Sequence, residues 1–299
     1  MDPREFLGLQ QAGDNMHWRL PVTPAVSTPG HFLYGGCALA AGIVALEEAS
    51  DRPTVWATAQ YLSYAPTGSE VEWEVVLAAV GRRTTQGRAI ARVGDVEIIT
   101  VNAALGRSDL EVSGSWTWMP DVPPPDQCPL QEVPAFFADT VLTRVEHRVA
   151  KGRMFSMLDG TAGDANSAFW ARLPGQLEPS AATLAVIGDY VSGAVSQPLG
   201  RRTLGRSLDN TLRVATLVPT EWVLCDIHIH AIAHGFGHGE AHLFAEDGTL
   251  LGTASQSISV RLWTDDVVFT PPPHPAVQRR APVEGDGPGG ERAAKESPR

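Results

Sequence analysis

Gln256 is the residue least at home in its surroundings. In the last strand-like run, Thr249–Trp263, it shares a side with Leu250, Gly252, Ala254, Ile258, Val260 and Leu262. Thr253, Ser255, Ser257, Ser259 and Arg261 take the opposite side. An amide on an apolar face needs partners, since leaving it unsatisfied costs about 1–3 kcal/mol. It serves either as a structural bridge between strands or as a group that holds a reactant. Asp189 lies in a mostly apolar helix expected over Ala181–Val195, with Ser180 as its N-cap. Its neighbours at three- and four-residue spacing are Ala185, Val186, Ser192 and Gly193, all compact. That leaves room above the carboxylate for a water, and a half-apolar setting raises a carboxyl pKa toward that of a base working near neutrality. The competing reading is a solvated residue on the helix's outer face. Ser207 opens a strand-like run two positions before Asp209, where a serine is ordinarily a turn residue.

A second group of residues surrounds the start of the first long helix. Gly35 and Gly36 precede it, and backbone N–H groups at such a start can polarise a carbonyl and hold a developing oxyanion. A glycine pair serves close packing equally well. His31 is near enough in sequence to touch a ligand there, so Gly35, Gly36 and His31 are the substrate-binding candidates. Cys37 sits where a thiolate is favoured, although a small buried cysteine is the commoner use. His228, His230, His234, His238 and His242 invite a metal reading. Asp226, His228 and His230 share one strand side, however, with Ile227 and Ile229 on the other, so the histidines are expected outward. Without cysteine partners or a His-Glu-x-x-His helix, no metal is expected. Arg82 and Arg83 offer cations to a phosphate from a hairpin, although exposed turn arginines ordinarily bind nothing in particular. The segment Gly205-Arg206-Ser207-Leu208-Asp209 lacks the second glycine of a nucleophile elbow, and no phosphate-loop or dinucleotide-binding glycine motif is present.

These residues must be positioned by elements, and the elements come twice. An alanine-rich helix over Cys37–Ala49 is stopped by Asp51-Arg52-Pro53, and strand-like runs follow at Val55–Ala65, Val71–Val80, Gly87–Val93 and Val96–Leu105. After the helix at Ala181 come runs at Ser207–Leu217, Glu221–Ile232, Gly239–Ala245 and Thr249–Trp263, and the Asp247-Gly248 turn matches Gly94-Asp95. A helix followed by consecutive hairpin-connected strands, repeated, implies an α+β fold in which each helix lies in the concavity of a curved antiparallel sheet. Prolines 120, 123, 124, 125, 129 and 134 interrupt the chain between the repeats. The expected division is a first unit over 1–113, a linker over 114–134, a second unit over 135–269 and a disordered tail over 270–299, rich in Pro, Gly, Arg and Glu.

Composition limits the partners. The chain has 299 residues, 43% hydrophobic and 19% charged, with net charge -11, which argues against a nucleic-acid partner whose phosphates must be neutralised. The three cysteines, Cys37, Cys128 and Cys225, offer no disulfide framework, as suits a reducing compartment. No apolar signal core and no apolar run of about 18 residues occur, so a cytoplasmic protein with no membrane partner is expected.

Several segments resemble the bacterial thioesterase II family of double hot-dog acyl-CoA hydrolases. They are His31-Phe32-Leu33-Tyr34-Gly35-Gly36, Ser207-Leu208-Asp209-Asn210-Thr211, Glu221-Trp222, and Glu246-Asp247-Gly248-Thr249-Leu250-Leu251 running into Thr253-Ala254-Ser255-Gln256-Ser257. The resemblance covers nearly everything from Phe32 to Trp263 except most of the linker. It implies hydrolysis of acyl-CoA to free acid and CoA by a water activated by Asp189, Ser207 and Gln256, all in the second hot dog. It implies no cofactor. Self-association into a homo-oligomer is expected from this family and from open edge strands. The alternatives are a non-catalytic acyl-CoA or acyl-carrier binding protein, and a hot-dog hydratase. Hydratases of that fold carry an aspartate and a histidine five residues apart, a pair this sequence lacks.

Overall fold

Alternating apolar residues carry the chain into strands, and these join edge to edge into one antiparallel sheet of thirteen. The computed structural model describes residues 2–133, 137–173 and 179–264. A short helix α1 (Pro3–Leu7) leads into β1 (Gln10–Ala12) and β2 (Asp14–Pro21), then the long helix α2 (Gly35–Ser50). Strands β3 (Thr54–Tyr61), β4 (Glu70–Val80), β5 (Thr84–Val93) and β6 (Val96–Gly106) complete the first repeat. The second comprises β7 (Glu146–Lys151), β8 (Asn166–Arg172), α3 (Ala181–Gly188), α4 (Val191–Ala194), α5 (Ser196–Leu199) and β9 (Thr203–Ser207). It ends with β10 (Asp209–Val214), β11 (Val223–Ala233), β12 (Phe236–Ala245) and β13 (Leu250–Leu262).

The strand order is β1-β2-β4-β5-β6-β3-β10-β13-β12-β11-β8-β7, with β9 beside β13. Each repeat therefore runs outward from a seam where β3 pairs with β10, Asp209 opposite Gln60 and Arg213 opposite Trp56. At the centre of that seam Thr58 faces Thr211, their hydroxyls 2.7 Å apart. Helix α2 packs against β2 through β6 and against α3, so it is apolar on every side and buried from Gly36 to Leu46. One continuous apolar core runs through both repeats. This is the double hot-dog α+β fold.

Two expected elements break where the site lies. The helix expected over Ala181–Val195 stops at Gly188, with Asp189 as its C-cap, and resumes at Val191. Asp189 is therefore not mid-helix. Its side chain and the freed N–H groups bond to neighbouring elements instead of continuing the ladder. The run expected over Ser207–Leu217 is divided at Leu208 into β9 and β10, because the Leu208 N–H donates to Ser257 O and its carbonyl accepts from Tyr61 N. Strands β1, β2, β7 and β8 and helix α1 lie outside the runs recognised in the sequence.

Between β6 and β7 the proline-rich stretch forms a 3-10 turn at Pro125–Gln127 and an isolated bridge of Leu130 to Arg148 on β7. It lies on the outer face of the second repeat, where Met119, Val122 and Cys128 pack on Ala168, Trp170, Trp222, Leu224 and Phe244. Trp170 Nε1 donates to Pro123 O at 2.9 Å. The tail expected over 270–299 lies outside the described residues. Among the described residues no helix is long and apolar enough to cross a membrane.

Candidate active site

The break in the second helix points Asp189 at the start of the first. Asp189 is 3% exposed and its Oδ2 accepts from the Gly36 N–H at 2.6 Å. That N–H is one of the first few of α2, which have no partner within the helix, and Tyr34 at the N-cap supplies no side-chain acceptor. A carboxylate from the second repeat thus caps the helix of the first, where the positive end of the dipole favours an anion. Glycine is needed for this approach. A Cβ on Gly36 would lie 2.8 Å from the Ala185 carbonyl oxygen and 2.9 Å from Asp189 Cβ. One on Gly35 would lie 2.9 Å from Asp189 Oδ2.

Two amides hold the other carboxylate oxygen. Asn210, 1% exposed on β10, donates through Nδ2 to Asp189 Oδ1 at 3.0 Å, and Gln256 Nε2 on β13 donates to the same oxygen. Gln256 Oε1 accepts from the Ser192 N–H at 3.0 Å, a donor released by the helix break. Gln256 therefore is both the inter-element bridge and a partner of the carboxylate. Burial pushes the Asp189 carboxyl up to about 7, against hydrogen bonds from Gly36, Gln256, Asn210 and Tyr34 that favour the anion.

Ser207 ends β9 opposite Ile258, two residues beyond Gln256 on β13, so strand alternation places it on the same side as Gln256. It is half-buried, and its hydroxyl makes no hydrogen bond among the described residues. Asp209 supports this turn, accepting from Ser257 N at 2.8 Å. The first-repeat candidates separate. Gly36 meets Asp189, and the Gly35 carbonyl accepts from the Tyr61 hydroxyl at 2.9 Å. His31 is exposed in a turn with φ 58° and is not among the groups bonded to Asp189. Cys37 is buried, which pushes its thiol far above the usual range and away from thiolate chemistry.

Sequence reasoning missed Asn210, Tyr61, Ser192 and an aromatic group beside the carboxylate. Asn210 lay within the Ser-Leu-Asp-Asn-Thr motif and, with Gln256, on a buried strand side, which is the clue that pointed to it. Tyr190 sits edge-on to His147 and Phe169, with centroids 4.3 and 5.3 Å away, and 6.0 Å from Tyr34. Burial holds His147 neutral by pushing its pKa down to about 3.

The repeats are not equivalent at these positions. Thr58 and Thr211 match across the seam, so Asn210 matches Ala57 and Gln256 matches Ala103. Gly42 abuts Val101 as Gly188 abuts Ala254, which matches Asp189 with Ile43. The first repeat is apolar at all three places.

The two halves of the chain match the two halves of one family. Residues 23–106 match the model of the acyl-CoA thioesterase N-terminal domain, and residues 121–260 that of the acyl-CoA thioesterase C-terminal domain. The chain belongs to the acyl-CoA thioesterase family. Solved structures similar to this thioesterase share its layout. A candidate thioesterase from Novosphingobium aromaticivorans is 29% identical, with a TM-score of 0.76 over 84% of this chain and 98% of that one. A hot-dog-fold protein of unknown function from Alicyclobacillus acidocaldarius is 19% identical, with a TM-score of 0.76 over 88% and 98% of the two chains. The acyl-CoA thioesterase II TesB2 of Mycobacterium marinum is 16% identical, with a TM-score of 0.67 over 90% and 100%. No curated protein matches the thioesterase sequence.

Proposed function

We propose that this acyl-CoA thioesterase hydrolyses its substrate by direct attack of one water, with Asp189 as the general base. The observation that supports it most is the placement of Asp189. Its buried carboxylate lies at the N-terminal end of α2, oriented by Gly36, Asn210 and Gln256 from three different elements. A base with a pKa near 7 is matched to taking a proton from water at neutral pH. The Ser207 hydroxyl, on the same side as Gln256, is the second hold on that water.

The step runs as follows. The water oxygen bonds to the thioester carbonyl carbon while its proton passes to Asp189. The carbonyl electrons move to oxygen, and the oxyanion lies against the N-terminal end of α2, where the Gly35 N–H has no intrahelical acceptor. The oxyanion then re-forms the carbonyl, the carbon–sulfur bond breaks, and Asp189 returns the proton to the CoA sulfur. The products are a carboxylic acid and CoA thiol. A thioester is electrophilic enough that positioning and oxyanion stabilisation suffice without an acyl-enzyme.

The decisive test is Asp189→Asn, with free CoA measured by a thiol reagent. Loss of the base lowers kcat by about 10²–10⁴-fold. Circular dichroism and acyl-CoA binding confirm that the variant is folded. A folded variant with near-normal kcat refutes the assignment.

A further inference from the structure

The outer face of the second repeat carries a cluster that the hydrolytic site does not use. Asp226 and His228 alternate on β11 and so share a side, opposite to Ile227 and Ile229, which enter the core. On β12, His242 stands opposite Asp226, and Glu240 opposite His228. On β8, Asn166 stands opposite His228. One donor atom each from Asp226, His228 and His242 lies within 4.8 Å of the other two, and Asp226 is buried despite facing outward. From the sequence, His228 and His242 belonged to a group of five histidines expected to face outward without a metal. The structure brings His242 to Asp226 and His228 and adds a partner that fixes His228.

That partner is Asn166. Its Nδ2 donates to Asp164 Oδ1 at 3.1 Å, which turns its Oδ1 toward His228 Nδ1 at 2.6 Å. An amide oxygen only accepts, so Nδ1 carries the hydrogen and the neutral ring presents a lone pair at Nε2. Nε2 lies 2.9 Å from Asp226 Oδ2, lone pair against lone pair. A cation must sit between them, either a second proton or a metal ion. A proton joins two groups, and here a third converges. The His242 ring is 5.7 Å from that of His228, and its Nε2 makes no hydrogen bond among the described residues. Glu240 Oε1 is 4.0 Å from His242 Nε2, beside the trio.

We propose that Asp226, His228 and His242 form a binding site for one divalent transition-metal ion, of the zinc class, with Glu240 or water completing the shell. Two imidazoles and a carboxylate are donors such an ion accepts, and tetrahedral coordination spaces its ligand atoms about 3.4 Å apart, within reach of small side-chain rotations. Asn166 acts as the outer partner that orients His228. The ion ties β11 to β12 on the face away from Asp189, so its role is structural and not hydrolytic.

The test uses the full-length chain without a histidine tag, stripped by chelation and titrated with zinc chloride by calorimetry. One ion per chain is expected. Affinity falls at least tenfold in His228→Ala and in His242→Ala, and about 10–100-fold in Asn166→Ala. Zinc raises the Tm of the wild type and not that of His228→Ala, while kcat is the same before and after chelation. Absence of saturable binding overturns the site. So does unchanged affinity in His228→Ala and His242→Ala, which would place the ion on other histidines. Loss of kcat on chelation, restored by zinc, would overturn the structural role.

Discussion

Asp189 is a carboxylate held by hydrogen-bond donors in a place that resists its charge, and this opposition sets its behaviour with pH. Burial raises its pKa to about 7, and only the ionised form accepts a proton from water. Turnover is therefore expected to rise as pH increases through about 7 and to level off above, and the pH profile of kcat/KM checks this. The same raised pKa means that the folded state binds a proton between about 4 and 7 that the unfolded chain has released, so this group's contribution to stability declines as pH rises through that window. Removing Gln256 acts differently from removing the base. Gln256→Ala leaves the Ser192 N–H and one Asp189 acceptor unpaired, so stability falls by about 1–3 kcal/mol along with kcat. A Tm equal to that of the wild type would show that the amide bridge is not structural. The Gln256 signal was legible because an amide breaks a two-residue alternation. Ser207 was legible only through a motif, since a serine at a strand start looks the same whether or not it holds a water.

At the scale of elements, the repeat of helix and strands could be read directly because apolar periodicity and turn residues recur in order. The break in the second helix could not. Ala181–Val195 is mostly apolar and contains no proline, and the chain leaves the helix because residues distant in sequence meet it there: Gly36 and Asn210 hold the Asp189 side chain, and Gln256 accepts from the freed Ser192 N–H. Strands β7 and β8 were missed for a related reason, being short and bordered by irregular chain. The close approach of α2 to the break is the element-level requirement of the site. In Gly36→Ala the added carbon meets the Ala185 carbonyl, so the two helix ends must separate. A loss of about 1–3 kcal/mol in urea unfolding is expected, with a drop in kcat larger than any change in KM. If kcat and stability both stayed normal, the glycine pair would owe nothing to this contact.

At the scale of the molecule, we read residues 1–113 and 135–269 as two hot-dog units that are not independent. They share a core, a seam at β3 and β10, and a site in which one supplies a helix start and the other a carboxylate. The chain should melt in one cooperative transition by calorimetry, and two separated transitions would contradict this. The open edges that favoured self-association are largely closed. Pro129 and Gln131 bond along β7, which among the described residues leaves three-residue β1 and the outer side of five-residue β9. Trp116 and Trp118, 81% and 77% exposed on the connecting stretch, lie with Leu110 and Val112 among the most exposed large apolar residues described. A mass above that of the monomer is expected by light scattering, reduced in Trp116→Ser/Trp118→Ser.

The apolar residues at Ile43, Ala57 and Ala103 also govern the arithmetic of inhibition. A symmetric pair of single hot dogs would offer two equivalent seats, whereas with Asp189 as the proposed base this chain offers one. A tight non-hydrolysable analogue should therefore saturate at one equivalent per polypeptide, and one inactivating lesion silences the entire chain. On that assignment Ile43, Ala57 and Ala103 answer to the core alone, while Gly35 and Gly36 of the same repeat still answer to the site.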